Sequence, residues 1–259
     1  MAHKQYEIEV WGTILFIDAT SSTLDSASID SAVEKVKDFV FKVDQEFSTY
    51  KSDSTVSKLR RGEINIDECS DDVVEVWNAC AVASELTDGA FNPWSVPGGF
   101  DPSGYVKGWA ADKCAEILVK AGCESVQVNA AGDLTLRGGH VEKSGEIEPW
   151  SIGVTNPDNK LEVLQIFKIS DGAIATSGES ERGAHIHDPF TGTIAIGAKS
   201  ATVIGPDGGL VDALATALMV SGEDGAAWFR NPDLAEYSAW VIDRHSDTSW
   251  GLGPAILNK

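Results

Sequence analysis

The chain is predicted to adopt an α+β fold. Helix-periodic segments concentrate in the first half of the 259 residues and strand-like runs in the second. No regular alternation of strand and helix, the signature of βαβ units, runs along it. No linker, repeat or low-complexity tract divides it, so residues 1–259 are expected to form one compact unit.

The first element expected is one strand-like run, Tyr6 to Asp18, that holds Trp11-Gly12-Thr13. A helix follows from Ile29 to about Phe47, because Val33, Val36, Val40 and Val43 recur at three- and four-residue spacing. Ser48-Thr-Tyr-Lys51 ends it, and Ser52-Asp-Ser54 can cap a short helix through Leu59. Asp71 to Leu86 reads as a further helix with Val73, Val76, Trp77, Cys80 and Val82 facing inward, stopped by Thr87-Asp-Gly-Ala90. Phe91 to Gly104 is rich in Pro and Gly with Phe91, Trp94 and Phe100 between them, which fits either a rigid ligand wall or a packed connector. It feeds a helix from Tyr105 to Ala121, ended by Gly122. Strands are expected over Ser125 to Asn129 and Leu134 to Arg137, with Asn129 and Asp133 as structural turn residues. Later strands are expected over Ser151 to Thr155, Val163 to Ile169, Ala173 to Thr176, Ile194 to Ile204 and Tyr237 to Ile242. One helix, Leu210 to Ser221, interrupts them.

Forty acidic against twenty basic residues give a formal charge of -20. Such a surface opposes nucleic acid and anionic membranes, so neither is expected as a partner. It also repels a polyanionic ligand unless a metal or local cations neutralise the site. The N-terminal residues are polar and no apolar run is long enough to span a bilayer. The expected location is cytoplasmic, with no membrane insertion. Cys69, Cys80, Cys114 and Cys123 are scattered and form no CxxC pair, so reduced thiols are expected.

Asp212 and Thr216 sit four residues apart in the helix after the Pro206-Asp-Gly-Gly209 turn, and so share one face. A carboxylate and a hydroxyl so placed can hold a hard cation such as Mg²⁺. An acid in a first turn also complements the helix dipole, and a Thr among Ala and Leu also serves as a core residue bonded to its own helix. The two residues alone leave these readings open.

Separated motifs then point one way. They are Ser48-Thr-Tyr-Lys51, Asp88-Gly-Ala-Phe-Asn-Pro93, Asp101-Pro-Ser-Gly-Tyr-Val-Lys-Gly-Trp-Ala-Ala-Asp112, Val128-Asn-Ala-Ala-Gly-Asp133, Ala175-Thr-Ser-Gly178, Ala184-His-Ile-His-Asp-Pro189 and Val211-Asp-Ala-Leu-Ala-Thr-Ala-Leu218. In this order the chain resembles the ApbE family, the FAD:protein FMN transferases. The resemblance implies a single compact ApbE-like (T-fold-like) domain with helices early and a mostly antiparallel sheet. It implies FAD as substrate, Mg²⁺ as cofactor, and a target flavoprotein whose Thr or Ser hydroxyl receives FMN as a phosphoester while AMP departs. Two alternatives stand beside it: a Mg²⁺-dependent FAD pyrophosphatase giving FMN and AMP, and a non-catalytic flavin-binding protein.

Carried over residue by residue, the resemblance implies metal ligands at Asp212, Thr216 and the backbone oxygen of Gly104. It implies a base for the acceptor hydroxyl at His185, since imidazole titrates near working pH. FAD-contacting positions fall on Trp11, Tyr50, Ala90, Phe91, Asn92, Asp101, Lys107 and His187. The chain departs from the family pattern at Asn92, where Asp is usual, and in its shorter stretches from Asn92 to Asp101 and from Gly178 to His185.

Overall fold

A computed structural model describes residues 1–142, 144–178, 186–246 and 248–257. The chain opens not with one strand but with a hairpin, β1 (Ala2–Val10) and β2 (Thr13–Ser21). Trp11 (φ 57°) and Gly12 (φ 69°) both lie in the left-handed region, as a two-residue hairpin turn with right-handed strand twist requires. That turn breaks the single run expected over Tyr6 to Asp18, since Val10 pairs with Thr13 across it.

Helix α1 (Ser26–Phe47) starts where the Asp25 side chain accepts from the Ser28 backbone N–H, and it buries Ile29, Val33, Val36, Val40, Val43 and Phe47 along one stripe. The short α2 (Thr55–Arg60) is capped by Ser54, and α3 (Asp71–Leu86) by Ser70 with Asp71 and Asp72 in its first turn. Val73, Val76 and Cys80 of α3 are buried as expected, whereas Val82 is 55% exposed on the far face. Helix α4 (Ser103–Ala121) ends at Gly122, whose left-handed φ of 109° closes its C-terminus.

Strands β3 (Ser125–Ala130) and β4 (Asp133–Arg137) form the next hairpin. The chain then leaves the main sheet for two small ribbons: β5 (His140–Val141) with β6 (Ile147–Glu148), and β7 (Trp150–Asn156) with β8 (Asn159–Ile169). It returns in β9 (Gly172–Gly178), β10 (Ala198–Gly205), α5 (Gly208–Ser221), β11 (Ser238–Asp243), β12 (Ser249–Leu252) and a short α6 (Pro254–Leu257). The main sheet has eight strands in the order β1-β2-β3-β4-β9-β10-β11-β12, and every adjacent pair is antiparallel. The mostly antiparallel α+β architecture expected from the chain is therefore present. Strand β10 starts at Ala198 rather than Ile194: the Gly197 N–H is bonded instead to the Met219 carbonyl of α5, which holds the chain off the ladder until that point.

Helices α4 and α5 cover one face of this sheet, α4 over β3 and β4, α5 over β9 and β10. Leu136, Ile174 and Ile204 point to the opposite face, where Trp150, Val154, Phe167 and Ile169 of the β7–β8 ribbon cover them. Among the described residues no helix is long and apolar enough to cross a membrane. All four cysteines are free thiols.

Where α4 crosses α5, glycines meet backbone to backbone. A Cβ on Gly108 would lie 2.0 Å from the Gly208 carbonyl oxygen, and one on Gly208 would lie 2.6 Å from that of Gly108. Neither carbonyl can move without breaking its helix. Gly108→Ala is therefore expected to cost about 1–3 kcal/mol through overpacking, read by urea denaturation. A wild-type midpoint in that variant would show that the helices separate freely.

Candidate active site

The α4–α5 crossing brings together residues more than a hundred positions apart. At the start of α4, Gly104 departs from helical dihedrals (φ -89°, ψ 19°), which kinks the first turn. A Cβ there would lie 3.0 Å from Thr216 Oγ1 and 3.3 Å from Phe91 Cε2, so glycine leaves room for α5 and the Phe91 ring to approach this closely. Thr216 Oγ1 in turn lies 3.3 Å from Ser177 Oγ at the end of β9.

One turn earlier on α5, Asp212 is buried. Lys107 Nζ reaches its Oδ2 at 3.4 Å and also pairs with Asp133 Oδ2 at the start of β4. Two carboxylates thus share one ammonium in a place with little water. Burial, then repulsion from Asp133, holds the Asp212 carboxyl well above the usual carboxylate range, and the Lys107 charge opposes that rise.

Asp133 was expected to serve its own turn, but its side chain belongs to this cluster. The turn role falls to Asn129 alone, whose Oδ1 accepts from the Gly132 N–H at 2.8 Å. Asp133 was visible as the end of the Val128–Asp133 motif and as a strand start, neither of which reveals that α4 lies over β4. Ser177 was visible as part of the Ala175–Gly178 run, though no partner for it could be named.

The structure therefore gathers Gly104, Phe91, Lys107, Asp212 and Thr216, and adds Asp133 and Ser177. Ala90 and Phe91 are buried behind the α3 terminus, where the Phe91 N–H donates to Thr87 Oγ1 at 3.1 Å. Asn92 Oδ1 accepts from the Trp94 N–H, so its amide shapes the loop. Asp101 accepts from the Ser103 N–H and hydroxyl and faces Arg60 at 3.6 Å. Trp11 sits half-buried in the β1–β2 turn, and Tyr50 is 99% exposed beyond α1. His187 is exposed on a small hairpin, bridged to Ile194, and Phe190 of that hairpin approaches Gly89. His185 lies outside the described residues.

The aromatic loop proves to be a packed connector. Trp94 and Phe100 turn onto Trp77 of α3, with ring centroids 5.0 and 4.5 Å away. Arg60 holds the loop's backbone by donating to the Pro97 and Gly98 carbonyls.

With this geometry, the comparison with known proteins is direct. The model of the ApbE family matches residues 4–99 and 94–238. The chain belongs to the ApbE family. An FAD:protein FMN transferase of Vibrio cholerae is 36% identical over 134 residues, a match covering 48% of this chain and 39% of that protein. One from Escherichia coli K12 is 33% identical over 159 residues, covering 57% and 43% respectively. The chain thus matches less than half the length of these curated relatives. In fold the likeness spans nearly the whole chain: the flavin transferase ApbE from Vibrio cholerae superposes with a TM-score of 0.80 at 22% identity over 99% of each chain. The ApbE protein from Thermotoga maritima gives 0.79 at 24% over 96% of each.

The ionic cluster makes a checkable demand. A carboxyl with a raised folded pKa stabilises the native state where it is protonated, and that contribution is lost as pH rises through its folded value, about 7 for Asp212. Lys107→Met removes the cation that, among the described residues, lies between two buried carboxylates, and is expected to cost about 3–5 kcal/mol at about pH 8.5. The cost should shrink toward about pH 5, where Asp212 takes up a proton. Equal cost in urea at both pH values would refute the ionic account.

Proposed function

We propose that this protein is an FAD:protein FMN transferase that cleaves the FAD pyrophosphate and places FMN on a Thr or Ser hydroxyl of a target protein, releasing AMP. The observation that carries the reading is the meeting of Asp212 and Thr216 with the kinked Gly104 turn beside Lys107. A carboxylate, a hydroxyl and a backbone carbonyl are hard oxygen donors, and Mg²⁺ prefers such donors. Among the described residues no cluster of three His, Cys, Asp or Glu offers an all-side-chain cage. That fits a cation held partly by its phosphate ligand.

In this reading Asp212, Thr216 and the Gly104 carbonyl hold Mg²⁺. When bound, the cation offsets charge on the non-bridging phosphate oxygens and orients the group for in-line displacement. Lys107 adds a positive point charge on the same side and, through Asp133, stays anchored to the sheet. In a protein of charge -20, such local cations are what allow a pyrophosphate to approach. The buried wall of Ala90 and Phe91 excludes water beside Gly104. The family resemblance assigns the proton transfer from the acceptor hydroxyl to His185. Trp11, Tyr50, Asn92, Asp101 and His187 are the remaining positions that the resemblance assigns to FAD.

Intact-mass analysis after incubation with FAD, Mg²⁺ and a protein bearing a Thr flavinylation motif tests the reading. Gain of one FMN on the acceptor is expected. FMN and AMP released at the same rate without acceptor would mean hydrolysis instead. Asp212→Ala is expected to lower turnover by more than about a hundredfold; wild-type activity at limiting Mg²⁺ would remove the metal role. His185→Ala is expected to lower transfer by about 10²–10⁴-fold with FAD still bound, as measured by equilibrium titration. Lost FAD binding together with a folding defect would make that histidine structural.

A further inference from the structure

The site is divided among three segments: Gly104 and Lys107 on α4, Asp133 on β4, Asp212 and Thr216 on α5. Their spacing depends on how far each segment has slid along the others. The glycine contact at the α4–α5 crossing permits close approach, but two smooth backbones can still slip. A directional bond is needed to fix the register.

Asp112 supplies it. It lies one turn beyond Gly108 on α4, on the same face. Its Oδ2 accepts the Gly208 N–H at 2.6 Å, and its Oδ1 accepts the Thr135 hydroxyl at 2.7 Å and Arg137 Nη2 at 3.2 Å. Gly208 opens α5, and a first-turn N–H has no partner within its own helix. The carboxylate meets that donor and the positive end of the helix dipole together. Asp207 meets the Leu210 N–H separately, so the two acids divide the open end of α5 between them.

The three anchored points sit close to the three parts of the site. Gly208 is four residues before Asp212, one helical turn. Thr135 is two residues after Asp133 and so on the same strand face. Asp112 is five residues after Lys107. We propose that Asp112 is a positioning residue, whose carboxylate locks α4, β4 and α5 in the register that the cation and pyrophosphate site requires. The inference rests on the reading of that site given above.

Asp112→Asn keeps the volume but replaces one accepting edge with a donor that faces Arg137. Mn²⁺ serves as the probe, its free concentration followed by electron paramagnetic resonance in the full chain. The expected result is a loss of affinity of about 10–100-fold, with faster amide exchange confined to residues 208–216. Arg137→Gln, which leaves the Gly208 bond in place, is expected to lose less. Should Asp112→Asn fail to fold, Thr135→Val removes only the β4 leg and is expected to give a smaller loss of affinity with the fold kept. Wild-type Mn²⁺ affinity in a folded Asp112→Asn, or in Thr135→Val if only that variant folds, would overturn the proposal. So would faster exchange at 208–216 with unchanged affinity, since Asp112 would then be structural only. Wild-type protein that binds no Mn²⁺ would instead overturn the site reading. In that case unchanged exchange at 208–216 in Asp112→Asn would overturn the register role, and faster exchange would support it.

Discussion

Everything in the site follows from the crossing of two helices at backbone distance. Side chains at Gly108 and Gly208 would hold α4 and α5 apart, because each would run into the other's carbonyl. With glycine there, Lys107 of α4 can reach the Asp212 carboxylate of α5, and Thr216 can come against Gly104. Gly209 extends the same contact, since a Cβ on it would fall 2.4 Å from the Tyr105 ring. Close packing of this kind transmits position: a shift in one helix moves its partner, and with it one half of the site.

The crossing also explains why charge can be buried there. Asp212 and Asp133 lose most of their hydration, and among the described residues Lys107 places one positive charge between them. Such an arrangement is costly for a fold on its own terms. Its cost is understandable where a further cation completes the balance, and poor where packing is the sole purpose. The net acidity sharpens the contrast, since a charge of -20 disfavours anions overall while Lys107 places a positive charge between these carboxylates.

Much of the architecture was legible in the chain. The valine stripe of α1, the Gly122 stop of α4 and the turn before α5 each carry a local physical signal, and each element formed close to where that signal lay. The β1–β2 hairpin was not legible, because Trp11 gives no sign of adopting positive φ; only pairing with a twisted partner strand asks for it. The late start of β10 was hidden for a similar reason, since the Gly197 N–H is claimed by α5 rather than by a neighbour in sequence. In the site, Asp212 and Thr216 could be paired from helical spacing, and Gly104 and Lys107 joined them through family likeness. Asp133 could not, as its role depends on which helix lies over its strand.

The amino-acid sequence by itself determined the α+β class, the places of the long helices, the net acidity and the family, because each is written in local periodicity, capping, composition or ordered short motifs. The tertiary structure alone decided that the aromatic loop packs on Trp77 and that Asp133 shares Lys107 with Asp212. It alone showed that Asp112 joins α4, β4 and α5. Those outcomes depend on the relative height of two helices over a sheet, where glycine clearance acts between Gly108 and Gly208 and the half-buried Asp112 carboxylate bonds across 96 positions.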